Sequence, residues 1–155
     1  MNVQIIDEQD SLVDHGLLGR LAGGVLVGEG YGRSCLVDVT LVPEQQMAEM
    51  NYRHRGNRGP TDVLALPLQL IEPGEGVPGR GESGPPLHLG DVVIAPDYVS
   101  RQAAREGTGF SEEMGLMVVH GILHLLGYSH DSDSDAEVME QRERRHLARE
   151  GLRRR

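Results

Sequence analysis

The sequence has little of several features that would otherwise restrict its class. Among 155 residues Cys35 is the one cysteine, so an internal disulfide is excluded, and its apolar setting in SCLVDVTLV indicates a small buried residue. Tryptophan is absent and phenylalanine occurs once, so the core has to rely on leucine, valine, isoleucine and methionine. No apolar run approaches the roughly 20 residues of a membrane-spanning helix. The first residues, MNVQIIDEQD, lack the basic and then apolar order of a secretory signal, so we expect a cytoplasmic protein without membrane contact.

Positive charge is also scarce. The formal net charge at pH 7 is −9, from 24 acidic and 15 basic residues, which argues against broad electrostatic attraction to nucleic acid. Any contact with nucleic acid therefore has to be local. Outside the RRR at residues 153–155, the densest basic cluster is Arg53, His54, Arg55 and Arg58. We expect these two regions to dominate any affinity for RNA.

The periodicity of apolar residues predicts an α+β fold. Strands are predicted at residues 2–7, 34–42, 61–70 and 87–96, and helices at 12–30, 43–53, 97–107, 111–127 and after 130. Ser11 is the predicted N-cap of the first helix, with Leu12 facing inward, and Ser111 provides the capping signal of the fourth. The order β-α-β-α-β-β-α-α-α favours a small mixed four-stranded sheet packed with about five to six helices over a regular parallel array.

One segment departs from this pattern. Residues 72–86, EPGEGVPGRGESGPP, consist mainly of glycine, proline, glutamate and serine, a composition that cannot bury enough apolar surface to order itself. We expect a mobile loop there and not a linker between domains. The length of the chain suits one domain over residues 1–155.

The segment HGILHLLGYSH contains three histidines, His120, His124 and His130, in an otherwise apolar stretch. Residues four apart lie on the same face of a helix, so His120 and His124 can share one ion. Gly127 is suited to end the helix in the left-handed conformation, and the turn after it returns His130 towards the other two. A single histidine in such a helix is usually a hydrogen-bonded core residue, but three at this spacing favour a metal site.

Three imidazoles would leave one tetrahedral position open for water, which is typical of catalytic and not of structural zinc. We therefore predict Zn²⁺, one ion per chain, at His120, His124 and His130. Histidine sites of this kind also accept Ni²⁺ and other divalent transition metals, so the three ligands favour zinc without specifying it. Metal-bound histidines usually donate their other N–H to a carboxylate or carbonyl, and Asp62, Asp91 and Asp131 are candidates for that role.

With these features in place, the sequence resembles the YbeY family of bacterial metal-dependent endoribonucleases over most of its length. HGILHLLGYSH agrees with the family pattern H-G-x-L-H-L-x-G-Y-D-H except at Ser129, where the family usually has aspartate. Two further blocks agree in the same order. MNYRHRGNRGPTDVLALP looks like the family's L-N-x-x-Y-R-G...P-T-D-V-L-S-F-P, and LGDVVIAP looks like its L-G-D-I-V-I-S.

The resemblance implies a single domain with a zincin-like histidine helix and a catalytic arginine. In the family that arginine precedes a glycine and follows the L-N pair by four positions, which corresponds to Arg55 here. The chain departs from the pattern by His54 in place of tyrosine, an extra residue before Pro60, and ALP in place of SFP. Because of the extra residue, Arg53 and Arg58 remain competitors for the role.

The resemblance also implies a function. Members of the family are single-strand-specific endoribonucleases that mature the 3′ end of 16S rRNA and take part in ribosome quality control. We therefore expect single-stranded RNA, the 16S rRNA precursor and the small ribosomal subunit as partners. Either metal-activated water or the RNA's own 2′-OH would attack the phosphodiester, with Arg55 stabilising the phosphate.

Two other classes of function compete with this one. Zinc peptidases use H-E-x-x-H, with the glutamate as general base, but Gly121 stands at that position here, which argues against peptide hydrolysis. The second alternative is a ribosome-assembly factor without catalysis, in which the metal is structural. Structural zinc normally has four protein ligands and often includes cysteine, which disfavours this alternative.

Overall fold

The strands and helices follow one another in the predicted order, β-α-β-α-β-β-α-α-α. The computed structural model describes residues 3–32, 34–74 and 85–155. Its strands are β1 (Val3–Asp7), β2 (Cys35–Leu41), β3 (Val63–Pro67) and β4 (Leu87–Ile94). Its helices are α1 (His15–Gly28), α2 (Glu44–Arg55), α3 (Pro96–Glu106), α4 (Phe110–Leu125) and α5 (Asp133–Ala148).

The strands form one mixed sheet in the order β1-β2-β4-β3, which confirms the predicted fold class. Strands β1 and β4 run parallel to β2, and β3 is antiparallel to β4. Burial alternates along β2, so its odd-numbered residues, including the buried Cys35, point into the larger core. Strand β3 lies at the edge of the sheet and ends at Pro67, where the missing N–H of proline is tolerated.

Helix α4 is the centre of the core. Eleven of its 16 residues are buried, and it packs against α1, α3, α5 and strands β3 and β4. On the opposite face of β3 and β4, Met47 of α2 packs with Leu64 and Val93 in a smaller apolar cluster. Because the two clusters share these strands, the described residues form one domain.

Close packing of α4 on the sheet requires a glycine at position 121. A Cβ atom on Gly121 would lie well inside van der Waals contact with the methyl groups of Val92 on β4. The glycine therefore sets the depth at which α4 sits on the sheet. Since His120 precedes it and His124 follows in the next turn, it also sets the position of these two rings.

The first helix begins later than predicted. Its N-cap is Asp14, whose carboxylate accepts a hydrogen bond of 3.0 Å from the backbone N–H of Leu17. Ser11 instead donates its hydroxyl to the carboxylate of Asp97 at the start of α3. Leu12 is 95% exposed, so its predicted inward orientation is wrong. Ser11 and Asp14 both have side chains suited to an N-cap, but the long-range contact with Asp97 holds Ser11 outside the helix.

The predicted cap of the fourth helix is also wrong. Helix α4 begins at Phe110 with Gly109 as its N-cap, and no side chain caps it. The capping signal placed at Ser111 therefore lies inside the first turn. The predicted strand at residues 61–70 is likewise shorter in the structure, because only Val63–Pro67 pairs with β4.

Two expectations from composition have different outcomes. The predicted mobile loop at residues 72–86 falls for the most part outside the described residues, so it stays a prediction. Within the part of the chain that the structure describes, no helix is long and apolar enough to cross a membrane.

The contact between Gly121 and Val92 predicts a cost for a larger residue. Gly121→Ala should lower the free energy of unfolding by about 1–3 kcal/mol, since overpacking of a filled core costs about that much. The double variant with Val92→Ala should recover part of the loss. The measurement is urea unfolding followed by circular dichroism.

Gly23→Ala is the matched control, because Gly23 lies within α1 and a Cβ there would have no neighbour within 4 Å. It should be neutral or stabilising by roughly 0.5–1 kcal/mol. Equal stability of Gly121→Ala and the wild type would show that the packing of α4 on β4 does not require the glycine.

Candidate metal centre

The end of α4 brings the three predicted histidines together. His120 and His124 lie one turn apart on α4, which ends at Leu125. Gly127 then adopts a φ of 98°, as predicted for the residue that closes this helix, and its N–H donates to the carbonyl of His124 at 3.1 Å. The chain reverses there and places His130 against the other two rings.

The three rings surround a common point. Their centroids lie 4.7 Å (His120 to His124), 5.1 Å (His124 to His130) and 5.5 Å (His120 to His130) apart. One nitrogen of each ring lies within 4.8 Å of a nitrogen of each of the others. Bonds of about 2.0–2.1 Å to a zinc ion require nitrogens roughly 3.3 Å apart, so small ring rotations would complete a three-nitrogen site. The cluster could therefore bind a metal ion.

Glu143 fixes the orientation of His120. Nδ1 of His120 donates to Oε2 of Glu143 at 2.7 Å, and this leaves Nε2 of His120 free to face the cluster. The Glu143 carboxylate is almost fully buried and its other oxygen accepts a hydrogen bond of 2.8 Å from Nε of Arg154. Burial opposes ionisation of Glu143, but the hydrogen bonds from His120 and Arg154 outweigh it and lower the pKa of the carboxyl.

Sequence reasoning missed Glu143 because it lies 23 residues from His120, in another helix. Of the three predicted aspartates, Asp62 accepts hydrogen bonds from the backbone of Val63 and the side chain of Gln102. Asp91 lies in a separate group with Asp38 and His88. Asp131 is exposed. What distinguishes Glu143 from the other acidic residues of α5 is its burial. The spacing of residues in the sequence does not show burial.

His124 is held in its neutral form. Burial, together with the neighbouring His120 and His130 rings, lowers the pKa of His124 to about 4. A neutral imidazole is the form that binds metal ions. Near pH 7 the ring therefore presents a lone pair without first having to lose a proton.

The histidines lie in a cleft of about 860 Å³. The edge strand and the residue after it, 63–68, line this cleft together with His54 and Arg55. Arg55 is the last residue of α2, and Gly56, with a φ of 70°, closes the helix there. Arg53 lines a separate groove with other residues of α2 and with Pro43, the N-cap of that helix. Of the competing arginines, Arg55 is therefore the one that shares the cleft with the histidines.

The arginines that end the chain have a different place from the one expected. Arg154 pairs with Glu143, and Nε of Arg155 lies 2.9 Å from Oε1 of the buried Glu113. These two side chains neutralise buried carboxylates that belong to α5 and α4. The prediction that the RRR segment dominates contact with RNA therefore loses its basis for these two arginines.

A second buried carboxylate holds the turn between His124 and His130. Glu29 accepts hydrogen bonds from the hydroxyl of Tyr128 at 2.9 Å and from Arg142 at 2.8 Å. Nε2 of the buried His146 lies 2.7 Å from the other oxygen of Glu29. These contacts join the turn to α1 and α5. Burial lowers the pKa of His146 although Glu29 opposes that effect.

Comparison with known proteins places nearly the whole chain in one family. A family model described as "Endoribonuclease YbeY" matches residues 7–151. A relative of that name from Thermobifida fusca is 40% identical over 143 residues, which cover 92% of this chain and 86% of the relative. Another from Mycolicibacterium gilvum is 35% identical over 152 residues, covering 98% and 82%. The solution structure of TM1509 from Thermotoga maritima matches with a TM-score of 0.59 and 26% identity, over 93% of this chain and 85% of that one.

The fold and the site define a single-domain α+β protein in which three clustered histidines on and after a buried helix could hold a metal ion. The chain belongs to the YbeY endoribonuclease family. This confirms the family that the three sequence blocks predicted.

The environment of His146 predicts a dependence of stability on pH. Its pKa is lower in the folded protein than the ordinary value of 6.5, so the folded state resists protonation while the unfolded state accepts it. The contribution of this residue to stability is therefore present above about pH 6.5 and is lost as the pH falls below it. His146→Gln should reduce the loss of unfolding free energy on acidification by at most about 1.4 kcal/mol per pH unit.

The measurement is urea unfolding at several pH values between 8 and 5, for the wild type and the variant. His15→Gln is the control, because His15 also contacts a carboxylate, that of Asp7, but its side chain is 50% exposed. If His146→Gln had the same pH dependence as the wild type, the buried imidazole would not be the group that titrates.

Proposed function

We propose that this chain is a cytoplasmic, metal-dependent endoribonuclease specific for single-stranded RNA. Its substrate would be the 3′ end of the 16S rRNA precursor on the small ribosomal subunit, with a further part in ribosome quality control. The observation that carries the proposal is the position of Arg55 in the same cleft as His120, His124 and His130. The family relatives, which are named as endoribonucleases, support it.

Zn²⁺ is the ion we propose at the histidines. The donor set fits it, because His120 is oriented by Glu143 and His124 is kept neutral by burial. When bound, such an ion supplies Lewis-acid chemistry to a phosphodiester and makes water or a hydroxyl more acidic. The residues of the chain provide the fixed geometry, through the buried carboxylates of Glu143 and Glu29 that hold α5 against α4 and the turn after it.

Arg55 has the role of meeting the negative charge of the phosphate. A guanidinium presents paired N–H donors in one plane and keeps its charge at any physiological pH. Cleavage of a phosphodiester concentrates charge on the phosphate oxygens, so a donor fixed there is worth more in the transition state than in the ground state. The cleft also carries His54 next to Arg55, and we propose that both face the RNA backbone.

The geometry at Gly121 argues against a peptidase. A zinc peptidase requires a glutamate at this position as its general base. Here even a Cβ atom would overlap with Val92, so the position cannot accept a glutamate without moving the helix. The site therefore favours a reaction in which Arg55 neutralises the negative charge of a phosphate over a reaction that needs a carboxylate as general base.

The first experiment compares wild type and His124→Ala. The two proteins are purified identically, their metal content is measured by mass spectrometry, and cleavage of a single-stranded RNA is followed. We expect the variant to lose one metal ion per chain and its cleavage activity together, because His124 is the central ring of the cluster. The circular dichroism spectrum should remain that of the wild type.

His15→Ala, at a half-exposed position on α1, controls for the loss of any histidine. If cleavage survived in His124→Ala while the metal was lost, the activity would come from a contaminant or another site, and the proposal would be wrong. If metal and cleavage both survived, the histidines would not be the metal centre.

The second experiment tests the arginine. Arg55→Ala should reduce the rate of RNA cleavage by roughly 10²–10³-fold, as the loss of one transition-state donor does in other enzymes. Metal content should not change. Arg55→Lys should recover little of the rate, because an ammonium cannot replace paired donors.

Arg105→Ala is the matched control for Arg55. Arg105 is an exposed arginine in the last turn of α3, which also ends at a left-handed glycine. The Arg105→Ala variant should cleave RNA at the wild-type rate. If Arg53→Ala were inactive and Arg55→Ala were active, the catalytic role would belong to Arg53, and the assignment made from the cleft would be overturned.

A further inference from the structure

A second group of metal-ligating side chains lies on the sheet, separate from the three histidines. It consists of Asp38 on β2 with His88 and Asp91 on β4, and one donor atom of each lies within 4.8 Å of a donor atom of each of the others. Residues three apart on a regular strand point to opposite faces, so His88 and Asp91 are not expected to meet. An irregularity of β4 brings them together.

That irregularity is a β-bulge at Leu89. Leu36 of β2 pairs with His88 and Val37 pairs with Gly90, so Leu89 is an extra residue on β4. The extra residue places His88 and Asp91 on the same face of the sheet. Gly90 has a φ of 146°, and a Cβ atom there would overlap with the backbone carbonyl of Leu66. The bulge is therefore built into the sequence by a glycine that no other residue replaces easily.

The distances within this cluster fit coordination better than hydrogen bonding. Nε2 of His88 lies 3.3 Å from Oδ2 of Asp38 and 3.4 Å from Oδ1 of Asp91. Ligands bonded at about 2.0–2.1 Å to a tetrahedral ion are separated by roughly 3.3–3.4 Å. Neither contact has hydrogen-bond geometry: within the described part of the chain, Nε2 of His88 and Oδ1 of Asp38 are buried without a hydrogen-bond partner. Buried polar atoms without a partner are costly, and a bound cation would satisfy them.

We propose that Asp38, His88 and Asp91 form a second site for a divalent transition-metal ion, with Zn²⁺ as the reference ion. Two carboxylates and one imidazole are a donor set that such ions accept. A dication would also balance the charges of the two carboxylates, which face each other across paired positions of β2 and β4.

The site adjoins the cleft of the histidines, because Asp91 lines that cleft as well. In a chain with a net charge of −9, the carboxylates there would repel a phosphate chain. An ion held by them replaces this repulsion with an attraction for RNA phosphate. This role in RNA binding rests on the proposed function, whereas the binding of the metal does not.

The test measures metal binding by calorimetry, with Zn²⁺ added to protein that has been freed of metal by a chelator. The wild type should bind two equivalents per chain and His88→Gln one. The affinity for the lost equivalent should fall roughly 100-fold or more, since even partners outside the coordination sphere cost about 10–100-fold. His124→Ala should keep the equivalent that His88→Gln lacks. With Co²⁺ in place of Zn²⁺, its visible absorption bands should persist in His124→Ala and vanish in the double variant.

Asp38→Asn is a second variant in case His88→Gln does not fold, and His15→Gln is the control for a histidine that merely pairs with a carboxylate. If the wild type and His88→Gln bound the same number of ions, the three side chains would only contact one another, and the second site would be refuted. That result would leave the proposed function intact. Conversely, if His124→Ala bound as many ions as the wild type, the histidine centre would fail while the second site stood.

Discussion

The candidate site depends on one buried carboxylate, that of Glu143. A charge buried to this degree is costly unless it is paired and hydrogen-bonded on both oxygens. His120 satisfies one oxygen from α4 and Arg154 satisfies the other from the end of the chain. The pair with His120 fixes which nitrogen of that ring faces the cleft, and the pair with Arg154 makes the C-terminal segment part of the structure of the site. Removal of either partner would leave one oxygen of the buried carboxylate without a hydrogen bond.

The same solution recurs at the other buried glutamates. Glu29 is paired with Arg142, and Glu113 with Arg155, so arginines from α5 and the segment after it serve three buried acids. Part of the limited positive charge of this acidic chain is therefore used inside the protein, to neutralise buried carboxylates. Several of its arginines hold helices together, and among the described residues the basic side chains that line the cleft beside the three histidines are His54 and Arg55, at the end of α2. A net charge of −9 does not favour broad attraction to RNA, so any attraction has to be local, and Arg55 supplies a positive charge within the cleft.

Much of this arrangement is visible in the sequence, and the exceptions have a common cause. The order of the elements and the turn at Gly127 follow from local periodicity and from the φ that glycine permits, so they could be predicted. The cluster of His120, His124 and His130 follows from helical spacing in the same way. Ser11 and Ser111 matched the local signals of helix caps, but the cap of α1 is Asp14, since Ser11 is bound to α3. Glu143 and the bulge at Leu89 could not be predicted, because each is defined by a partner in a distant element.

The depth of α4 on the sheet restricts which side chain can stand beside the first histidine. In zinc peptidases, the helix that carries two metal-binding histidines four residues apart has a glutamate directly after the first of them. Here the residue at that position, Gly121, packs directly on Val92, which leaves no room for the side chain of a general base. Of the carboxylates that line the cleft, Asp62 is held by Val63 and Gln102, and Asp91 belongs to the cluster on β4. With the carboxylates in the lining already engaged and Arg55 in the same cleft, the site is suited to a substrate that brings its own negative charge. A phosphodiester meets that condition and a peptide bond does not.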